Sequence, residues 1–243
     1  MSPVAHGFFT KGVTAPPTNH KEDKNMAETT KEAIERIGLM PVLRAKSKEQ
    51  GLAIVKAMLA GGVNTVEVTM TVPGAIDLLK ALKAEYGSDV LLGSGTVTTA
   101  AQAQATIDAG AEFVISPCLN LDVIATTKGS GKLSCPGALT PTEVITAWKA
   151  GADIVKVFPC SAMGGASYLK ALLAPFPFLQ LIPTGGVSLE TAEGFLKAGA
   201  RALGVGSDLV NLKAIEDGKP EIITEKAKAY LKIIEDFRKA NKK

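Results

Sequence analysis

Three charged residues stand within apolar stretches of strand length: Arg44 in MPVLRA, Glu67 in VNTVEVTM and Lys156 in ADIVKVF. Taking a charge out of water costs on the order of several kcal/mol, so such residues persist either as a paired cluster or because chemistry requires them. A lysine in dry surroundings with a guanidinium nearby favours its neutral amine, which adds to ketones. The iminium that follows is an electron sink for breaking the carbon-carbon bond one position further out, with Glu67 removing and returning protons. Neither step needs a metal or a cofactor. The competing reading is a structural ion-pair cluster, which for any one charge alone is at least as good an account.

Two glycine turns add a place for an anion. PTGGVS carries Thr184, Gly185 and Gly186, and GVGSDLV carries Gly204, Gly206 and Ser207. Backbone N–H groups of such turns, with a helix N-terminus, cradle phosphate. Singly, each reads as a tight turn; together, after the last two strands of a barrel, they read as a phosphate site. Thr96 in GSGTVTT and Pro117 in ISPCLN end two further strands and are expected at the same pocket. The Thr96 hydroxyl suits a substrate carboxylate or hydroxyl, and its neighbouring threonines equally suit a helix cap. Both histidines, His6 and His20, fall in the first 25 residues. Zinc sites built on imidazole, Ser-His or Cys-His pairs and a histidine general base are thereby disfavoured.

The elements that must position these groups are read from periodicity. Apolar runs at Leu39–Arg44, Thr65–Thr69, Val90–Ser94, Phe113–Ser116, Leu133–Cys135, Ile154–Phe158, Gln180–Pro183 and Ala202–Val205 alternate with helical stretches such as Ser47–Ala60, Pro73–Glu85, Ala100–Ala109, Thr140–Lys149 and Leu189–Ala198. The segments AGG, DAGAEF, KAGADI and KAGARAL set a glycine at helix ends, where a left-handed residue is needed. Eight βα units with nearly continuous apolar strands predict an α/β fold, a closed (β/α)8 TIM barrel; a doubly wound open sheet is the alternative. Additional helices are expected before it, at Glu28–Ile37, and after it, at Ile222–Lys239, on the outside. Strand parity turns Ile154, Lys156 and Phe158 inward, and likewise Thr65, Glu67 and Thr69. The three charges then converge on the C-terminal rim, the functional face of such barrels, which favours a site over a structural cluster.

The length of 243 residues suits one large barrel domain or two small ones, and 46% hydrophobic with 21% charged residues is the make-up of a soluble globular protein with a full core. The 27 basic and 24 acidic residues are interspersed, so no nucleic-acid partner is expected. Three cysteines without a C-x-x-C pair, Cys118, Cys135 and Cys160, fit a reducing compartment, and the cytoplasm is the expected location. No uncharged apolar run approaches the ~18 residues of a spanning helix, so no membrane is expected. Residues 1–25 read as a flexible leader or a tag-like extension, and 26–243 as a single barrel domain.

The segments PVLRA, VEVTMTVPGA, GSGTV, ISPCL, CPGALTPTE, VKVFP, PTGGV and GVGSDLV, in this order, resemble the 2-keto-3-deoxy-6-phosphogluconate (KDPG) and 4-hydroxy-2-oxoglutarate (KHG) aldolase family across nearly all of Thr29–Lys239. That resemblance implies a trimeric barrel enzyme that cleaves KDPG to pyruvate and glyceraldehyde 3-phosphate in the Entner-Doudoroff pathway. It implies a Schiff-base role for Lys156 and acid/base work for Glu67. Arg44 and Thr96 then lie around the pyruvate carboxylate, Pro117 and Phe158 form pocket walls, and Thr184, Gly185, Gly186 and Ser207 match the phosphate side, with Gly206 in the same turn. Thr71 stands where some members carry an arginine, which weakens carboxylate or phosphate binding there. Three readings compete: a related 2-keto acid aldolase acting on 4-hydroxy-2-oxoglutarate or the galactonate epimer, a non-catalytic phosphate-binding barrel, and a phosphate-binding isomerase or epimerase. The last would have no need of a buried strand lysine.

Overall fold

The computed structural model describes residues 28–241. The leader at residues 1–25, with His6 and His20, lies outside the described residues. Parallel strands β1 (Leu39–Leu43), β2 (Thr65–Thr69), β3 (Leu91–Gly95), β4 (Phe113–Ile115), β5 (Leu133–Cys135), β6 (Gly137–Ala138), β7 (Val155–Val157), β8 (Leu181–Pro183) and β9 (Leu203–Val205) form a closed ring. Leu39, Met40 and Pro41 of β1 pair with Leu203, Gly204 and Val205 of β9, which rules out the open sheet. A bridge between Thr184 and Gly204 joins β8 to β9.

Nine strands fill eight positions because the fifth is broken at Pro136. A proline has no N–H to give a ladder, and here the chain changes partners. β5 pairs with β4, β6 pairs with β7, and the Lys156 N–H donates to the Pro136 carbonyl at 2.9 Å. The sheet is thus the predicted (β/α)8 TIM barrel.

Helices cover the outside: α1 (Thr30–Ile37), α2 (Lys48–Ala60), α3 (Ala75–Tyr86), α4 (Ala100–Asp108), α5 (Leu121–Gly129), α6 (Pro141–Lys149), α7 (Ala166–Leu173), α8 (Ala192–Lys197), α9 (Leu212–Glu216) and α10 (Glu221–Asn241). Their starts are written in the sequence: Thr29 and Thr140 each form a capping box, with Glu32 and Glu143, and Ser47, Thr99 and Asn120 cap through their side chains. Gly110 and Gly151, at φ 104° and 96°, supply the left-handed turn out of α4 and α6. α8 begins three residues later than its apolar period predicts. The Thr191 hydroxyl accepts from the Ser188 N–H at 2.8 Å and donates to the Gly186 carbonyl at 2.9 Å, holding 188–191 as a turn.

Two apolar layers follow from period-2 alternation. Val66, Val68, Leu92, Val155, Val157, Leu181 and Leu203 face the helices in the large outer core. Met40, Phe113, Ile115, Leu133, Cys135, Ile154 and Ile182 fill the barrel interior, with Ile34 of α1 packed among them. Ile34 is 1% exposed, burial that contributes about 2–3 kcal/mol. The N-terminal helix therefore packs against the barrel's interior core while the C-terminal ends of the strands are left for chemistry.

Candidate active site

Glu67 and Lys156 are the charged residues that the strands bury, at 1% and 6% exposure. Both point inward, as parity predicts. They come from β2 and β7, four positions apart in a ring of eight and therefore on opposite walls. Lys156 Nζ reaches Glu67 Oε1 at 3.3 Å. Space for this meeting comes from β3, which presents Gly93 and Gly95 on its inner side. A Cβ on Gly95 would fall 2.0 Å from Glu67 Oε1, and one on Gly93 would fall 1.9 Å from the Phe113 ring. Only glycine at both positions lets the Glu67 carboxylate lie over the strand and Phe113 fill the core beneath it. Burial pushes the Glu67 carboxyl above its usual range, against the opposing pull of Lys156 and then of Arg44.

Lys156 Nζ also lies 5.5 Å from the centroid of the Phe158 ring, so Phe158 forms a wall beside the amine. Cys135, likewise inward and buried, has its thiol pushed up to about 12 by burial. A neutral thiol there is a packing group and supplies no nucleophile.

Arg44 departs from the expectation of a charge inside a strand. β1 ends at Leu43, and Arg44 is exposed just past it, where its guanidinium stays in water. It lines a cleft of about 420 Å³ with Phe158, Thr184, Gly185, Gly186, Gly206 and Ser207. With Gly204, eight of the residues singled out from sequence thus surround one cavity. The carbonyls of Gly185 and Gly186 are tied back to the Ser161 N–H and the Thr191 hydroxyl. The Gly185 N–H is spent on the bridge to Gly204, whereas those of Gly186, Ser207 and Asp208 have no acceptor among the described residues and are free for an anion. Ser188 and Asp208 also line the cleft; they lie within the PTGGVS and GVGSDLV segments, but neither was given a role from sequence.

Thr96, Pro117 and Thr71 follow β3, β4 and β2 on the other side of the same rim and do not line this cleft. Thr96 holds a left-handed backbone, φ 55°, which a β-branched residue adopts only at a cost of about 1–3 kcal/mol. Pro117 is fixed by a close crossing of chains: a Cβ on Gly137 would fall 2.4 Å from the Pro117 carbonyl carbon. The Thr71 hydroxyl is hydrogen-bonded to Thr69 at 2.7 Å and brings no charge to the rim. A larger hollow of about 660 Å³ between α8 and α10 is lined by no strand residue and lies on the outer helical face.

The family of KDPG and KHG aldolases matches residues 30–226. A 2-dehydro-3-deoxy-phosphogluconate aldolase of Treponema pallidum is 34% identical over 84% of this chain and 96% of its own. A 2-dehydro-3-deoxy-6-phosphogalactonate aldolase of Escherichia coli is 35% identical over 72% of this chain and 85% of its own. Among solved structures, a KDPG aldolase of Legionella pneumophila, described with pyruvate captured as a covalent carbinolamine, superposes with a TM-score of 0.78 at 31% identity, covering 83% of this chain and 98% of its own. With its closed parallel barrel and a profile match across most of its length, the chain belongs to the KDPG/KHG aldolase family.

Proposed function

We propose that this protein is a class I aldolase that cleaves KDPG to pyruvate and glyceraldehyde 3-phosphate, with Lys156 as the Schiff-base nucleophile and no metal or cofactor. The observation that carries the proposal is the buried Lys156–Glu67 pair, 3.3 Å apart, beside a cleft with free peptide N–H groups. The covalent carbinolamine described for the Legionella pneumophila relative supports a lysine route.

The chemistry follows from these placements. Glu67 takes a proton from Lys156, and the amine adds to the C2 ketone to give a carbinolamine. Protonated Glu67 returns that proton to the carbinolamine hydroxyl, which leaves as water to give the iminium and restores the carboxylate. Glu67 then removes the proton of the C4 hydroxyl, the C3–C4 bond breaks, and its electron pair flows into the iminium as an enamine while the aldehyde leaves. The enamine carbon takes the proton back, and water releases pyruvate from the lysine. Arg44 and Thr96 hold the carboxylate, Pro117 and Phe158 shape the pocket, and Thr184, Gly185, Gly186, Gly206 and Ser207 take the phosphate. The same proposal covers a single barrel domain from residue 26, a homotrimer, and a cytoplasmic location. Among the described residues, no helix is long and apolar enough to cross a membrane.

A second reading has one observation in its favour. Thr71 brings a hydroxyl already bonded to Thr69, so a related acid, 4-hydroxy-2-oxoglutarate or the 6-phosphogalactonate epimer, is the alternative substrate. Borohydride reduction in the presence of pyruvate, followed by peptide mass spectrometry, tests the mechanism: the adduct is expected on Lys156, and its absence sinks the proposal. A coupled assay of pyruvate release across phosphorylated and unphosphorylated 2-keto acids decides between the substrates.

A further inference from the structure

Asp208 is the acidic residue lining a cleft whose cationic lining residue is Arg44, and it directly follows Ser207. A free carboxylate there would repel an incoming phosphate. It is not free: Oδ2 accepts from the Tyr230 hydroxyl at 2.6 Å, and Oδ1 accepts from Lys226 Nζ at 3.2 Å. Lys226 Nζ also donates to the Asp208 main-chain carbonyl at 2.6 Å, fastening the turn itself. Tyr230 and Lys226 stand one helical turn apart on α10, so both meet the turn from one face. Tyr230 is 0% exposed, and burial, then its bond to Asp208, pushes its phenol well above the usual range, keeping it a donor.

We infer that Tyr230 and Lys226 are positioning residues for the phosphate end of the substrate: they neutralise and hold Asp208, keep the Gly206–Ser207 turn open to an anion, and so set the preference for phosphorylated over unphosphorylated 2-keto acids. The inference rests on the glycine turns being the phosphate side. Neither residue touches the Lys156–Glu67 pair, so their effect belongs to one end of the cleft. A merely structural brace would weaken both ends alike.

The test uses the full chain and three readouts: KM and kcat for KDPG, the same for 4-hydroxy-2-oxoglutarate, and methyl-proton exchange of pyruvate followed by NMR. Tyr230→Phe and Lys226→Gln are each expected to raise KM for KDPG about tenfold while leaving pyruvate exchange and the unphosphorylated substrate within about twofold. Lys226 is a third exposed, so its variant keeps the test open where the buried Tyr230→Phe folds poorly. Adding Asp208→Asn to either variant removes the charge that was left unheld and is expected to return KM for KDPG toward the starting value. An unchanged KM in the single variants, a parallel fall in pyruvate exchange, or no rescue by Asp208→Asn overturns the inference. If the unaltered protein shows no preference for phosphorylated substrates, the phosphate-side reading itself falls, and that result appears before any variant is made.

Discussion

Lys156 and Glu67 meet at 3.3 Å although their strands stand on opposite walls of the barrel and the residues are 89 positions apart. The meeting spans the interior, so it depends on everything that sets the barrel's width and on the empty inner face of β3. A pair held this way is compact, buried and, among the described residues, shared by no third charged side chain at hydrogen-bond distance. It suits proton transfer to and from one nucleophile.

The Glu67→Gln variant keeps the shape of the side chain and removes its base. Pyruvate methyl-proton exchange is expected to fall by about 10²–10⁴-fold, while borohydride still traps an adduct on Lys156. Exchange at the unaltered rate would remove Glu67 from its role.

The same carboxyl gives a pH dependence. Burial raises its pKa, so protonation begins at a higher pH than for an exposed glutamate near about 4.3. The active base is the carboxylate, so activity falls as pH falls, and the acid limb of the exchange profile lies above that value. In stability the sign is opposite: folding favours the protonated form, so the contribution is full below the unfolded value and is lost as pH rises through the raised one. A profile of exchange rate per KM whose acid limb lies at or below pH 4 is the outcome that removes burial as the controlling influence.

What was readable in the sequence is what depends on local periodicity. Alternation in VEVT and IVKVF turned Glu67 and Lys156 inward correctly, and the order of the glycine turns put Thr184, Gly186 and Ser207 around one cleft. What was not readable depends on partners far along the chain. The need for glycine at position 95 comes from a carboxylate on the neighbouring strand. Asp208 matters through a tyrosine 22 residues later. The exposure of Arg44 turns on a strand ending one residue early, a distinction below the reach of a pattern of period two. Pro136 announces the broken fifth strand in LSCPGA, but only pairing on both sides reveals that the strand resumes at Gly137.

Gly95→Ala tests the space beneath the carboxylate. The added Cβ would lie 2.0 Å from Oε1, so Glu67 must move away from Lys156 or the strand must shift. A cost of about 1–3 kcal/mol in denaturant unfolding is expected, with exchange reduced about 10²-fold because the base is displaced by roughly 1 Å. Loss of stability with full exchange activity would show that Glu67 works from another position.

Gly186→Asp tests the anion cradle. Gly186 has φ 76°, and its Cβ would fall 2.4 Å from that of Ser161, so the turn is strained and gains a negative charge together. KM for a phosphorylated substrate is expected to rise more than about tenfold, with pyruvate exchange much less affected. An untouched KM would remove the glycine turn from phosphate binding.

Arg238→Ala separates stability from chemistry. The Arg238 guanidinium donates to the carbonyls of Glu35 and Arg36 at the end of α1, and it lies against Gly38, whose missing side chain leaves it room. These carbonyls belong to the last turn of a helix, where no intrahelical partner exists, so the arginine completes the end of α1 from α10. Its loss is expected to cost about 1–3 kcal/mol, seen as a lower unfolding midpoint in denaturant. Because α1 contributes Ile34 to the interior core and no residue to the rim, pyruvate exchange at 25 °C should stay unchanged while the fold persists. A fall in exchange with no change in midpoint would mean that α10 and α1 reach the chemistry by a route other than stability.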